Sequence, residues 1–157
     1  MKVKHIETEW FQDYKSPSLF IAFPNCTFKC EKECGVCCCH NSTLATVPNI
    51  EVEIDDIILA YQKNPITQAL VLGGLEPFDS ASDMIELLYE FRKTTADDVV
   101  IYTGYYPNEV SEWIDRLQLI GNVIVKWGRY RPGEESHWDD VLGVKLASSN
   151  QYAERIS

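Results

Sequence analysis

The sequence predicts an α/β fold, an open partial (β/α) barrel with a mostly parallel sheet. Three observations carry that expectation. Strand, loop and helix patterns follow one another at least three times along the chain, the order that makes a parallel sheet with crossover helices. The strand patterns are short continuous apolar runs, as in strands covered on both faces. At 157 residues the chain is too short for eight β/α units, which take roughly 200 residues or more. No repeat, linker or low-complexity segment divides it, so residues 1–157 are expected to form a single domain.

The elements follow in order. Residues 1–17 mix charge with Trp10, Phe11 and Tyr14 and suggest an irregular or edge-strand lead-in. Ser18 to Pro24 reads as a buried strand stopped by Pro24-Asn25. After a cysteine loop, spanning 24–47, Ile50, Ile54, Ile57, Ile58 and Tyr61 recur at helical spacing, with Asn49 as a candidate cap and Asn64-Pro65 as the stop. TQALVLGG is a second buried strand. A helix from Ser80 carries Met84, Leu87, Leu88 and Phe91 on one face, with Ser80 and Asp83 spaced as a capping box. DVVIYTG is a third strand, and Val110, Trp113, Ile114 and Leu117 stripe a helix expected from Asn108. NVIVKWG is a fourth strand, and VLGVKLASSNQYA closes the chain as a final strand and tail.

Composition narrows the classes of partner. The formal charge is −10, which argues against nucleic acid and anionic membrane, since both attract basic surfaces. Acidity that merely keeps a protein in solution is the plainer reading of the same number. No run approaches the roughly 18 to 20 apolar residues of a membrane span, and Met1-Lys2-Val3-Lys4 leads into polar sequence rather than a signal-peptide core. A soluble, cytoplasmic protein is expected, with a small molecule or another protein as partner.

The chemistry concentrates in CTFKCEKECGVCCCHN, Cys26 to Asn41, where all six cysteines fall within fourteen positions. Neighbouring cysteines cannot easily pair without backbone strain, so a disulfide framework does not explain the crowding. Thiolates suit zinc or iron–sulfur clusters, and a Cys-x3-Cys opening is closer to cluster-loop spacing than to a zinc knuckle. Zinc and free redox thiols remain the alternatives. No Ser-His-Asp set, phosphate loop or His-Glu-x-x-His array points to hydrolase or triphosphatase chemistry.

Several motifs in order resemble the radical S-adenosylmethionine enzymes. These are a strand, then Cys26, Phe28 and Cys30, a last cysteine followed by His40-Asn41, and a Gly73-Gly74-Leu75-Glu76-Pro77 turn after the next strand. Tyr102 to Tyr105, Trp127 to Tyr130 and Leu146 to Gln151 extend the resemblance to the activating proteins of anaerobic ribonucleotide reductase, over roughly residues 18 to 151. The resemblance implies a radical-SAM-like partial barrel in which three thiolates hold a 4Fe-4S cluster and leave one iron open. In the family that iron is chelated by S-adenosylmethionine, and one electron cleaves the sulfonium bond to give methionine and a 5'-deoxyadenosyl radical.

The family spacing is Cys-x3-Cys-x2-Cys, and only Cys30, Cys34 and Cys37 match it literally. Position after the strand favours Cys26 and Cys30 as the first two ligands, and the Cys39-His40-Asn41 sequel favours Cys39 as the third, with EKECGVCC as an enlarged loop. Cys34 is the first substitute; Cys37 and Cys38 read as spare thiols. By the same resemblance Gly73, Gly74, Glu76 and Pro77 would receive the methionine ammonium, although Leu75 stands where the family has its second glycine. Thr103 and Gly104 would lie near the ribose or adenine, and Asn41 is a candidate contact. His40 reads as orienting rather than catalytic, and Asp79 as a solvated loop acid. No catalytic residue is expected beyond the cofactor ligands. The implied reaction is formation of a glycyl radical on the large subunit of anaerobic ribonucleotide reductase, with flavodoxin or a similar electron donor. Another radical S-adenosylmethionine reaction, on a formate-lyase-type partner or a small molecule, and a zinc-binding interaction module are the rival readings.

Overall fold

Four apolar runs become the parallel centre of a six-stranded sheet in the computed structural model, which describes residues 1–157. In chain order the strands are β1 (Lys2–Val3), β2 (His5–Trp10), β3 (Ser18–Phe23), β4 (Ile50–Glu51), β5 (Ala69–Gly74), β6 (Asp98–Tyr102), β7 (Val123–Trp127), β8 (His137–Asp139), β9 (Val144–Leu146) and β10 (Tyr152–Arg155). The helices are α1 (Lys29–Cys34), α2 (Ser42–Thr46), α3 (Ile54–Lys63), α4 (Ala81–Arg92) and α5 (Ser111–Ile120). The main sheet runs β10-β7-β6-β5-β3-β2. Strands β3, β5, β6 and β7 pair in parallel, while β2 and β10 close the two edges antiparallel. The edges do not meet, so the sheet is open. No helix is long and apolar enough to cross a membrane.

The two-residue period of a strand divides the side chains between two faces. Leu19, Ile21, Phe23, Leu70, Leu72, Val99, Ile101, Val123 and Val125 point one way, into a core built with Ile57, Met84, Leu87, Leu88, Phe91 and Leu117 from α3, α4 and α5. The alternate residues Val71, Val100 and Ile124 point the other way, where Tyr14, Leu142 and Leu146 cover them. Both faces are therefore dry along the lower part of the strands, which is why the runs are continuous. Fully burying such a side chain contributes about 1.5–3 kcal/mol. Farther along, the second face carries Phe20, Ala22, Gly73, Tyr102, Lys126 and Gly128, and there it opens into a cavity.

The structure corrects several boundaries. Ile50 belongs to the short β1–β4 ribbon, opposite Val3, so α3 begins at Ile54 with Glu53, not Asn49, in the capping position. Ser80 makes no cap bond to α4; its hydroxyl instead accepts from Asn25, and a 3-10 turn, Pro77–Ser80, precedes the helix. Pro107–Glu109 forms another such turn, so α5 starts at Ser111, later than Asn108. The closing segment makes two strands: β9 pairs with β8 as a hairpin, and β10 joins the main sheet after the Ser148–Gln151 turn.

Candidate metal centre

Three cysteines meet the cavity at the C-terminal ends of the parallel strands. The cavity has a volume of about 620 Å³, and Cys26, Cys30 and Cys39 lie along its wall with Gly73, Gly74, Glu76, Thr103 and Gly104. Cys26 follows directly on β3. Phe28 adopts a left-handed conformation, φ 52°, which costs a non-glycine residue roughly 1–2 kcal/mol. That bend lets the Phe28 N–H donate to Cys26 Sγ at 3.2 Å and starts α1, which presents Cys30. The Tyr130 backbone N–H favours the thiolate of Cys30. Donors aimed at sulfur favour the thiolate, yet burial outweighs them, pushing Cys26 up to about 12 and raising Cys30 as well. These thiols are poised to lose their protons to a cation rather than to water.

Polar ties, not apolar packing, hold the loop. The Thr27 N–H donates to Asp79 Oδ2 at 2.6 Å, and Tyr105 donates to the other Asp79 oxygen at 2.5 Å. Cys39 N–H donates to Glu31 at 3.3 Å, and the Asn41 amide donates to the Gly74 carbonyl. Arg129, buried, binds Glu109 and reaches Glu33 of α1 at 3.3 Å, while Arg131 holds the other Glu33 oxygen at 3.1 Å. The His40 ring stacks on Tyr130 with centroids 4.1 Å apart.

The opposite wall is built from Glu76. Its carboxylate accepts from Phe78 N–H at 3.1 Å, the Thr103 hydroxyl at 2.8 Å and Gly104 N–H at 2.9 Å. Pro77 opens the 3-10 turn that supplies the first donor. Burial still pushes Glu76 up to about 7. On β7, Lys126 donates to the Gly128 carbonyl at 2.9 Å, and burial brings it down to about 8 against the pull of Glu76, Cys30 and Asp13. The glycines matter for different reasons. A Cβ on Gly74, at φ 80°, would stand 2.6 Å from Ala22, so that position must be bare for β3 and β5 to pack. A Cβ on Gly104 would stand 3.3 Å from Cys30 Sγ, inside the space at the cysteines.

Residues 18–151 match the family described as the 4Fe-4S single cluster domain. The chain belongs to this family. No curated protein is similar enough to add to the assignment.

Membership of the 4Fe-4S single cluster domain family makes the chain an iron–sulfur protein, and the cavity fits the group. Three free thiols face one space, with an N–H donor on Cys26 Sγ and room kept clear at Gly104. No three His, Cys, Asp or Glu side chains converge closely enough for a single metal ion. Thiols set round a space rather than round a point suit a cubane, whose ligands bind separate irons.

The structure brings together most of the residues singled out from sequence. Cys26, Cys30, Cys39, Asn41, Gly73, Gly74, Glu76, Thr103 and Gly104 all line the cavity, whereas Pro77 is buried and does not. Cys34, Cys37 and Cys38 lie outside. Asp79, expected as a solvated acid, is instead the clamp between Thr27 and Tyr105. Sequence reasoning missed Lys126 altogether. A lone lysine inside VIVKWG is itself a signal, because an ammonium rarely enters a buried strand without a partner.

Proposed function

We propose that the protein is a radical S-adenosylmethionine activase with a partial-barrel architecture, forming a glycyl radical on the large subunit of anaerobic ribonucleotide reductase. One observation supports this above the others: a single cavity at the ends of four parallel strands gathers three thiols, a glycine-lined turn and a buried carboxylate. Open α/β sheets bind ligands at this end. When bound through three protein thiolates, a 4Fe-4S cluster supplies an open iron and the single electron that cleaves the sulfonium bond.

Cys26, Cys30 and Cys39 would hold the cluster. Glu76 already accepts three hydrogen bonds, but a carboxylate has about four acceptor sites, so one remains for an ammonium. Lys126 gives the same cavity a cation for a carboxylate. The pair matches the two charges of an amino-acid head group such as that of S-adenosylmethionine. Gly73 and Gly74 let that group approach the backbone, Asn41 fixes the Gly74 carbonyl, and Pro77 sets the turn that aims Glu76. Thr103 and Gly104 would flank the nucleoside. An open cavity admits a loop of a protein substrate, and a cytoplasmic flavodoxin-like donor would supply the electron.

The test is anaerobic reconstitution with iron and sulfide, then electron paramagnetic resonance of the reduced protein with and without S-adenosylmethionine. A cofactor-dependent change in the spectrum, 5'-deoxyadenosine formation, and a glycyl radical on added large subunit are expected. A cluster signal indifferent to S-adenosylmethionine would overturn the proposal.

A further inference from the structure

Three cysteines stay out of the cavity, and two of them touch. Helix α1 ends at Cys34, and Gly35 closes it in a left-handed conformation, φ 74°, with its N–H donating to the Glu31 carbonyl at 2.8 Å. This turn sends the chain back on itself and sets Cys38 Sγ 2.8 Å from Cys34 Sγ. Cys34 also forms part of the wall of a shallow cleft of about 240 Å³, open to solvent beside Tyr130, Arg131 and Pro132. Cys37, between the two on the chain, is the exposed thiol of the six and has no such partner.

We propose that Cys34 and Cys38 are a reversible dithiol–disulfide site, oxidised by low-molecular-weight disulfides of the glutathione class. Bond formation needs the sulfurs to close to about 2.05 Å, an approach of under about 1 Å from where they stand. Cys34, reached through the cleft, attacks one sulfur of the external disulfide as thiolate, forming a mixed disulfide and expelling one small thiol. Cys38 then attacks the Cys34 sulfur and expels the second. The protein gives up two electrons and two protons, and the external disulfide takes them up as two thiols. An excess of small thiol reverses the sequence.

The position of the pair gives the bond a consequence. Cys38 immediately precedes Cys39, and Cys34 ends the helix that presents Cys30. Joining them staples the enlarged loop between two cavity-lining cysteines and fixes the reach of Cys39. That second role rests on the proposed cluster ligands; the disulfide itself does not.

The test takes the full chain, reconstituted anaerobically, through glutathione redox buffers, with thiol counting, alkylation, peptide mass mapping and iron analysis. Oxidation should remove two free thiols per chain, yield a Cys34–Cys38 linked peptide and reverse with reduced glutathione. Cys34→Ser and Cys38→Ser should abolish the link, Cys37→Ser should keep it, and all three should bind as much iron as the parent chain. An unchanged thiol count, a link through another cysteine, or iron loss in Cys34→Ser or Cys38→Ser would overturn the proposal. A parent chain that takes up no iron sinks the proposed activase instead, and the thiol map still decides the pair.

Discussion

Strand β5 and the cysteine loop border the same cavity and are held by opposite means. Ala69 to Leu72 are wholly buried, packed between helices on one face and the Tyr14–Leu142–Leu146 cluster on the other. Helices α1 and α2 bury no residue, and the loop is tied down by Asp79, Asn41, Glu31 and Glu33. Hydrophobic burial makes the scaffold rigid without any ligand, whereas a few exposed polar bonds leave the loop near the low end of local stability. A cluster held by the proposed ligands would therefore organise the loop more than the fold, since the free energy of binding goes to the segment that lacks its own core.

Breaking either side should show that asymmetry. Phe91→Ala removes a ring that is 1% exposed and stacked edge-on against Tyr61, and should cost about 3–5 kcal/mol in denaturant unfolding. The double variant Cys26→Ala, Cys39→Ala should abolish iron binding yet shift unfolding of the cluster-free protein by less than about 1 kcal/mol. A comparable loss of stability in the two variants would show that the loop belongs to the core.

Two of the cavity glycines, Gly74 and Gly104, sharpen the comparison where the regions meet. Gly74→Ala puts a methyl group 2.6 Å from the Ala22 backbone at a positive φ, and should cost about 2–4 kcal/mol of stability. Gly104→Ala meets side chains rather than backbone, Cys30 Sγ at 3.3 Å, Glu76 Oε2 at 3.6 Å and Arg129 Cγ at 3.9 Å, so it should leave stability within about 1 kcal/mol and lower iron content per chain. Thermal unfolding with iron analysis separates the outcomes; normal iron in Gly104→Ala would place the cluster elsewhere.

Arg129→Ala tests the latch itself. It leaves Glu109 and Glu33 without their shared cation, and because both acids are partly exposed the expected cost is only about 1–2 kcal/mol. Limited proteolysis should then cut within 29–47 several-fold faster while the strands resist. Unchanged cleavage would mean that Arg131 on Glu33 and Lys29 on Glu109 suffice.

The same asymmetry explains what was legible in the sequence. The strands at Ser18, Ala69, Asp98 and Val123 announced themselves because burial on both faces demands uninterrupted apolar runs. The α3 boundary failed because Ile50 fits a helical stripe as well as it fits a two-residue ribbon, and only the pairing with Val3 decides. In the site, cysteines and glycines carry their meaning in their type. Arg129 and Asp79 do not, since charged loop residues are common and their partners, Glu33, Glu109, Thr27 and Tyr105, lie far away in the chain.

The smallest expected effect removes the charge of one acid, Glu109, which pairs with Arg129 and, at 3.4 Å, with Lys29. Glu109 accepts from Arg129 and from the Tyr106 N–H at 2.9 Å, and the arginine above all brings its carboxyl down from 4.5 to about 2. An acid with a depressed folded-state value stabilises the fold fully above its unfolded value, and loses that contribution as pH falls toward the folded one. Glu109→Gln keeps an acceptor for Tyr106 but removes the charge, and water reaches a quarter of the native side chain, so screening reduces the loss at neutral pH to about 0.5–1 kcal/mol. The difference in melting temperature between parent and Glu109→Gln should therefore be present at pH 7 and shrink as the pH drops through about 4.5 toward about 2. A gap that stays constant across that window would mean that the shape of Glu109, rather than its charge, holds the Arg129 latch in place.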